Sequence, residues 1–386
     1  MLIFLSVFVI AMQTHSWERM DRCCLVGRQE HHVIESAIRN TQYGDIVFEE
    51  LRPFLEKEHC SISAVVNGCL QALSFFTYDI ERNSRVKPTS ELIAFAATRQ
   101  SAFDLVGYWK THFSPVNGCQ RLCNIRVALD DICGSRFIAE ALNAHGFRVE
   151  AVLPDYFKIG EHSFSVAEYA FNTSERDAVF PERDALLPKI MNDVFLNSDV
   201  VAYPNAWLNS MCKKLSGAFE LRRAVLNDSA MIVELLSHVF PIYGTCNLAE
   251  AIPVMLSNNS SVAPIVYVSA DRTSGRVVGT CTVEKYPFAT AELTDVAVHP
   301  DFNGNGLGTA LCYLALCEAR CHGVLHYYCD DVPDSPMNKV AKRLGASLCG
   351  IHRCHVRIST RNLRDALGRD DAYVDLVVCS GSTEFV

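Results

Sequence analysis

Glu292-Leu293-Thr294-Asp295-Val296-Ala297-Val298-His299-Pro300 runs directly into Asp301-Phe302-Asn303-Gly304-Asn305-Gly306-Leu307-Gly308-Thr309. The first part has the alternation and β-branched content of a half-buried strand over 291–298, and Pro300 ends it. Beyond the glycines, Leu307, Ala310, Leu311, Leu314 and Ala315 recur at helical spacing along one face. A strand, a glycine loop and an amphipathic helix therefore follow one another. Gly304, Gly306 and Gly308 let the backbone come close to a bulky anion. The amides at the helix start, reinforced by the helix dipole, can cradle a diphosphate. A Gly-x-Gly-x-Gly string by itself is also an ordinary turn, so context decides. A phosphate-binding P-loop needs Gly-Lys-Ser/Thr, which is absent. A dinucleotide fold puts its loop after the first strand, whereas this loop follows the fourth strand of its region.

Outward from the loop, the pattern predicts strands over 219–225, 263–269, 276–284, 324–329, 347–357 and 372–379. Asp228 is expected to cap a helix whose apolar face is Ile232, Leu235, Leu236 and Val239. The turn-rich 271–275 joins two strands as a hairpin, the loop helix stops near Gly323, and a short helix covers 338–344. The expected fold over 218–380 is α/β (α+β), with a mixed, mostly antiparallel sheet and helices on both faces. Upstream, 1–171 reads as an N-terminal α/β domain. The Pro-punctuated 172–217 reads as a linker with one short helix over 186–196.

The whole-chain numbers agree with two domains. A length of 386 residues exceeds one ordinary core, and 49% hydrophobic with 20% charged residues is a globular balance that excludes a largely disordered chain. With 35 Lys and Arg against 44 Asp and Glu, a formal net charge of -9 leaves no broad basic surface for nucleic acid. The 17 cysteines are odd in number and show no Cys-x-x-Cys pair or Cys/His ligand cluster, so reduced thiols and no metal are expected. Cys119 and Cys123 share helical spacing, yet two thiols do not make a zinc site. The apolar run 2–12 is shorter than the roughly 20 residues that span a bilayer. A signal peptide would want a basic start, but the first charge is Glu18, although Val9 and Ala11 suit a cleavage site. A cytoplasmic protein with a buried first strand and no membrane span is expected.

The strand from Glu292 to Val298, His299-Pro300 and the Asn303–Gly308 loop together resemble motif A of the GNAT acetyltransferase superfamily. Asn303 stands where that family usually has Arg or Gln. Within the superfamily the chain is most similar to bacterial and archaeal β-lysine N-acetyltransferases, which carry a comparable Glu-x-Thr-Asp strand. The stretch from Gly146 to Phe157 is similar to the end of their N-terminal domain, itself like a degenerate copy of the GNAT fold. The resemblance implies acetyl-CoA as cosubstrate and a small-molecule amine, such as the diamino acid β-lysine, as acceptor. It further implies that Val296, Ala297 and Val298 lie beside the thioester, and that Asn303, Gly304, Asn305, Gly306, Leu307, Gly308 and Thr309 surround the diphosphate. Asn338 matches a family asparagine on the CoA arm.

Acetyl transfer to an amine needs a proton acceptor, a polarised carbonyl and a donor for the leaving thiolate. Glu292 and Asp295 are the candidate acceptors, against the alternative of a solvated carboxylate or a structural ion pair. The helix that carries a tyrosine in many family members offers none here. Tyr327 and Tyr328 are the nearest candidates, Tyr328 preferred, although strand aromatics commonly serve the core. Cys312, Cys317 and Cys321 lack an activating partner and read as small hydrophobes. Two other functions fit the same residues: a non-catalytic acyl-CoA-binding module and a protein or peptide N-acetyltransferase.

Overall fold

The computed structural model describes residues 23–26, 60–67, 69–80, 86–89, 95–96, 98–112, 125–130, 134–159, 162–171, 201–240, 248–286, 289–332, 335–358 and 372–385. The apolar run 2–12, Cys119, Cys123 and the helix expected over 186–196 lie outside these residues. The chain divides into two units, Met1–Asp177 and Ala178–Val386.

In the first unit, strands β1 (Cys23–Val26), β2 (Cys60–Asn67), β3 (Cys69–Ile80) and β4 (Val86–Thr89) pair in sequence order, with the short β5 (Phe95–Ala96) on β3. Helix α1 (Arg99–His112), β6 (Ile125–Ala128), α2 (Ser135–Ala144), β7 (Phe147–Ile159) and β8 (His162–Phe171) follow. β8 pairs antiparallel with both β6 and β7. Leu105 and Trp109 of α1 meet Ile138 and Leu142 of α2 over Ile125 and Phe147. From Phe147 to Phe157, the stretch that resembles the end of that N-terminal domain lies within one long strand. Its register shifts between Leu153 and Phe157, where Asp155 takes φ 47°, so Pro154-Asp155 makes a bulge and not a turn.

A charge is buried in this unit. Arg126 donates from Nε to Glu168 Oε1 at 2.6 Å and from Nη1 to the Tyr156 hydroxyl at 2.6 Å, and Arg126 and Glu168 are 5% and 1% exposed. Removing one member of such a pair strands the other, so Glu168→Ala should lower the unfolding free energy by about 3–5 kcal/mol. The double variant Arg126→Met/Glu168→Leu should lose much less. Denaturant unfolding of both separates stranded charge from lost packing.

Among the described residues the second unit starts with α3 (Asn205–Leu215), which lies in the stretch expected as a linker, followed by β9 (Phe219–Arg223) and α4 (Ser229–Val239). Next come α5 (Leu248–Ser257), β10 (Ile265–Asp271), β11 (Val277–Tyr286), β12 (Thr290–Val298) and α6 (Leu307–Cys321). β13 (His326–Asp331), α7 (Pro336–Arg343), β14 (Ser347–Ile358) and β15 (Ala372–Ser382) complete it. Within this unit the sheet order is β14-β15-β13-β12-β11-β10-β9. Every neighbour is antiparallel except β12 with β13.

The two-residue period of β10 shows how the faces are filled. Val266 and Val268 pack with Ile232 and Leu236 of α4, whereas Ile265 and Tyr267 pack on the side of Leu311 and Ala315 of α6. Helices therefore cover both faces, as expected. At the β10–β11 hairpin the Asp271 carboxylate accepts from the Ser274 and Thr273 amides, and Gly275 supplies the left-handed φ of 71° that the reversal needs.

Asp228 is the N-cap residue of α4, but its side chain makes no capping bond. Its carboxylate takes two bonds from Arg222, at 2.6 and 2.9 Å, and one from the Val225 amide at 2.8 Å. These ties lock the corner between β9 and α4. The Arg222 bonds, with the backbone bond helping and burial opposing, hold the carboxyl below its ordinary range.

Candidate functional site

β12 is irregular on both of its edges. Against β11, Thr294 pairs with Thr282 and Ala297 with Thr280, so Asp295 and Val296 together stand opposite Cys281. This is a bulge, and Asp295 takes up its strain at φ 52°. Aspartate tolerates the left-handed region better than most residues do. On the other edge, β13 pairs only with Thr290, Ala291 and Glu292. β13 then continues along β15 as far as Asp331, while β12 runs on to Val298. The two parallel strands part after Glu292, so the far half of β12 has no ladder to β13.

Past that parting lies a cavity of about 1000 Å³, at the upper end for a small-molecule site. Val296 and Val298 of β12 line it, together with every residue from Phe302 to Thr309. Gly306 directly precedes α6 at φ 85° and Gly304 has φ 80°, both conformations that favour glycine. Gly308 serves through space and not through φ. A Cβ there would sit 3.7 Å from Val298 Cγ2 and 3.9 Å from Val296 Cγ1, in the gap between loop and strand. The first amides of α6 lack partners within the helix and border this gap. His299 braces the loop entry, its Nδ1 accepting from the Asp301 amide at 3.3 Å. An elongated ligand with a diphosphate fits this volume, these bare glycines and the helix start.

The residues expected around the cofactor divide. Val296, Val298 and Asn303 to Thr309 line the cavity, but the Ala297 side chain turns to the opposite face and packs with α4. Asn338 is 2% exposed, and its amide donates to the Val332 carbonyl at 2.8 Å, tying β13 to α7. It is not among the lining side chains. The far wall was missed by the sequence reading: α3 contributes Trp207, Ser210, Met211 and Lys214. Their spacing of i, i+3, i+4 and i+7 is one helical face, the available signal.

Glu292 stands where the strands begin to part. Its Oε2 accepts from the Tyr328 hydroxyl at 2.7 Å and from the Tyr286 hydroxyl at 2.9 Å. Burial first, then the negative charges of Asp330 and Glu284, push its carboxyl up to about 8, with the two hydroxyls pulling the other way. Asp295 Oδ1 is buried with no hydrogen-bond partner among the described residues, and burial pushes that carboxyl up to about 7. The structure brings Glu292 and Tyr328 together. Glu292, Asp295 and Tyr328 do not line the cavity. Tyr327 is separate and structural, fully buried with its hydroxyl on the Leu344 carbonyl at 3.1 Å. Cys312 is fully buried, and burial pushes its thiol well up, the opposite of what a nucleophile needs.

Among the described residues, no group of three or more His, Cys, Asp or Glu could hold a metal ion. No helix there is long and apolar enough to cross a membrane.

Several solved structures are similar to the chain. An IAA acetyltransferase from Bacillus cereus is 16% identical, over 43% of this chain and 99% of that one, with a TM-score of 0.32. A GNAT-family acetyltransferase from Streptococcus pneumoniae is 16% identical, over 42% and 99%, with a TM-score of 0.35. A ribosomal-protein-alanine N-acetyltransferase from Brucella melitensis is 20% identical, over 42% and 99%, with a TM-score of 0.33. No curated protein matches the chain. The model of the acetyltransferase (GNAT) family matches residues 231–346, a span that holds the bulged strand, the glycine loop and α6. Residues 231–346 of the second unit therefore match the acetyltransferase (GNAT) family.

Proposed function

We propose that the chain moves the acetyl group of acetyl-CoA to a primary amine of a small molecule, with Glu292 as the proton acceptor. The parting of β12 from β13 beside the glycine loop carries this reading. It leaves the main-chain groups of Val296 to Val298 able to pair with an extended pantetheine arm and to donate an N–H to the thioester oxygen. The loop from Asn303 to Thr309 receives the diphosphate.

Glu292 takes the amine proton once ionised. Tyr328, bonded to the same carboxylate oxygen, supplies the proton that reaches the departing thiolate through water, since neither side chain lines the cavity, and regains one from Glu292. Asp295 borders the reaction as a second carboxylate. The nearby Glu284 and Asp330 suit an acceptor with a second ammonium, which favours a diamino acid such as β-lysine. A cytoplasmic setting belongs to the same proposal.

The test is thiol release from acetyl-CoA against a panel of diamines, amino acids and peptides. Release with diamines or diamino acids and not with peptides is the expected result. Release with peptides alone would make the chain a protein acetyltransferase. Binding of acetyl-CoA with no release for any amine would leave a binding module.

A further inference from the structure

Asn303 brings no positive charge to the loop, and no residue from Phe302 to Thr309 is charged, so any cationic contact to the cofactor's phosphates must come from elsewhere. The charged side chains that line the cavity are Lys214, Lys339 and Arg343, against the single carboxylate of Asp331. That surplus of positive charge lies in a chain of formal net charge -9. Asp331 is already engaged, its carboxylate accepting from the Ser335 hydroxyl and the Val332 amide, both at 2.7 Å. The Arg343 guanidinium lies over the Tyr203 ring, 5.5 Å from its centroid. Neither the Lys214 nor the Lys339 ammonium has a hydrogen bond or ion pair to another described residue.

Lys214 is also well anchored. Leu208 of α3 is fully buried in the core of the second unit, and Leu215, next to Lys214, packs with Phe219, Leu307 and Ala310. Met211, one turn before Lys214 on the same face, has its sulfur 3.1 Å from where a Cβ on Gly306 would lie. α3 is thus clamped over the glycine loop, and Leu215 of its last turn packs in one cluster with Phe302. This helix, Asn205–Leu215, lies wholly upstream of the residues 231–346 that match the family.

We infer that Lys214 is a cofactor-binding residue, its ammonium meeting a phosphate of CoA and supplying the positive charge that the loop from Phe302 to Thr309 lacks. The inference rests on the acetyl-CoA reading above. Lys213, exposed in the same helical turn, does not line the cavity and serves as the control.

The experiment measures calorimetric affinity of the full chain for acetyl-CoA, dephospho-CoA and S-acetylpantetheine in the parent and in Lys214→Ala, Lys214→Arg and Lys213→Ala. Lys214→Ala should weaken acetyl-CoA by about tenfold, the effect of one charge-assisted bond at an exposed site. S-acetylpantetheine, which has no diphosphate, should bind that variant as it binds the parent. Lys214→Arg should restore most of the loss, Lys213→Ala should match the parent, and the parent's affinity should fall more steeply with salt than that of Lys214→Ala. A loss that persists with dephospho-CoA assigns the diphosphate, and one that vanishes assigns the 3′-phosphate. Parent-like acetyl-CoA affinity in Lys214→Ala, or an equal loss for S-acetylpantetheine, overturns the inference while the acetyl-CoA reading stands. A parent that binds none of the three ligands overturns both.

Discussion

Gly308→Val should fold as the parent does and bind acetyl-CoA about 100-fold more weakly, a change near 2.7 kcal/mol. Gly308 is the one glycine of the loop without a left-handed φ, and a Cβ there meets only ordinary contacts, the nearest at 3.7 Å. Glycine is also among the poorest residues within a helix, so the exchange should change stability by less than about 1 kcal/mol. The new side chain must nevertheless stand in the gap between α6 and β12, where the cofactor's backbone approach is proposed. Gly304 and Gly306 give a less clean test, because any replacement adds strain at φ 80° and 85°. Calorimetric titration read beside the melting temperature checks the expectation. A variant with parental melting and parental affinity would remove the loop from the cofactor site.

The second large effect is at Glu292. Glu292→Gln keeps the shape and the two tyrosine contacts but cannot accept a proton, so kcat should fall by about 10²–10⁴-fold. In the parent, kcat/KM should rise with pH through about 8, where the carboxyl ionises, and then level off. Glu292→Gln should lose that limb. Tyr328→Phe removes a bond that favours the ionised form, so it should move the limb to higher pH. Stability offers a second readout. A carboxyl whose folded pKa is about 8 against an ordinary value of 4.5 holds its proton longer in the folded state. The parent should therefore lose more stability than Glu292→Gln as pH rises from near 4.5 to 8, the variant keeping the loss that the raised Asp295 carboxyl contributes. Melting temperatures across that window decide this independently of turnover. A parental pH profile in the variant would exclude Glu292 as the acceptor.

Most of the second unit was legible because its periodicities are clean. The strand expected over 291–298 is Thr290–Val298, and the helix expected to stop near Gly323 ends at Cys321. Two helices were not read. Leu248–Ser257 has Pro253 inside it, a residue that marks a break in a sequence. Asn205–Leu215 reads as linker because its buried positions, Leu208 and Leu215, are seven apart and Asn209, Ser210, Lys213 and Lys214 interrupt its apolar residues. The loop side of the site was visible in its glycines, since the backbone needs there are local. The geometry of Glu292 was not. Its hydroxyl partners come from Tyr286 on β11 and Tyr328 on β13, and which tyrosine faces it depends on strand register. Tyr327 and Tyr328 are adjacent in sequence, yet the pleat sends one into the core and the other to the carboxylate.

The seating of α3 also bears on where this half of the molecule can be cut or grafted. Leu208 is sealed among core residues, and Met211 rests against the bend before α6. A fragment starting at Phe219, the first strand, would uncover an oily groove beside Leu307 and Phe219 and invite clumping. The piece of this unit that can travel as one heritable block begins no later than Tyr203, whose amide is tied to the Arg343 carbonyl at 2.8 Å.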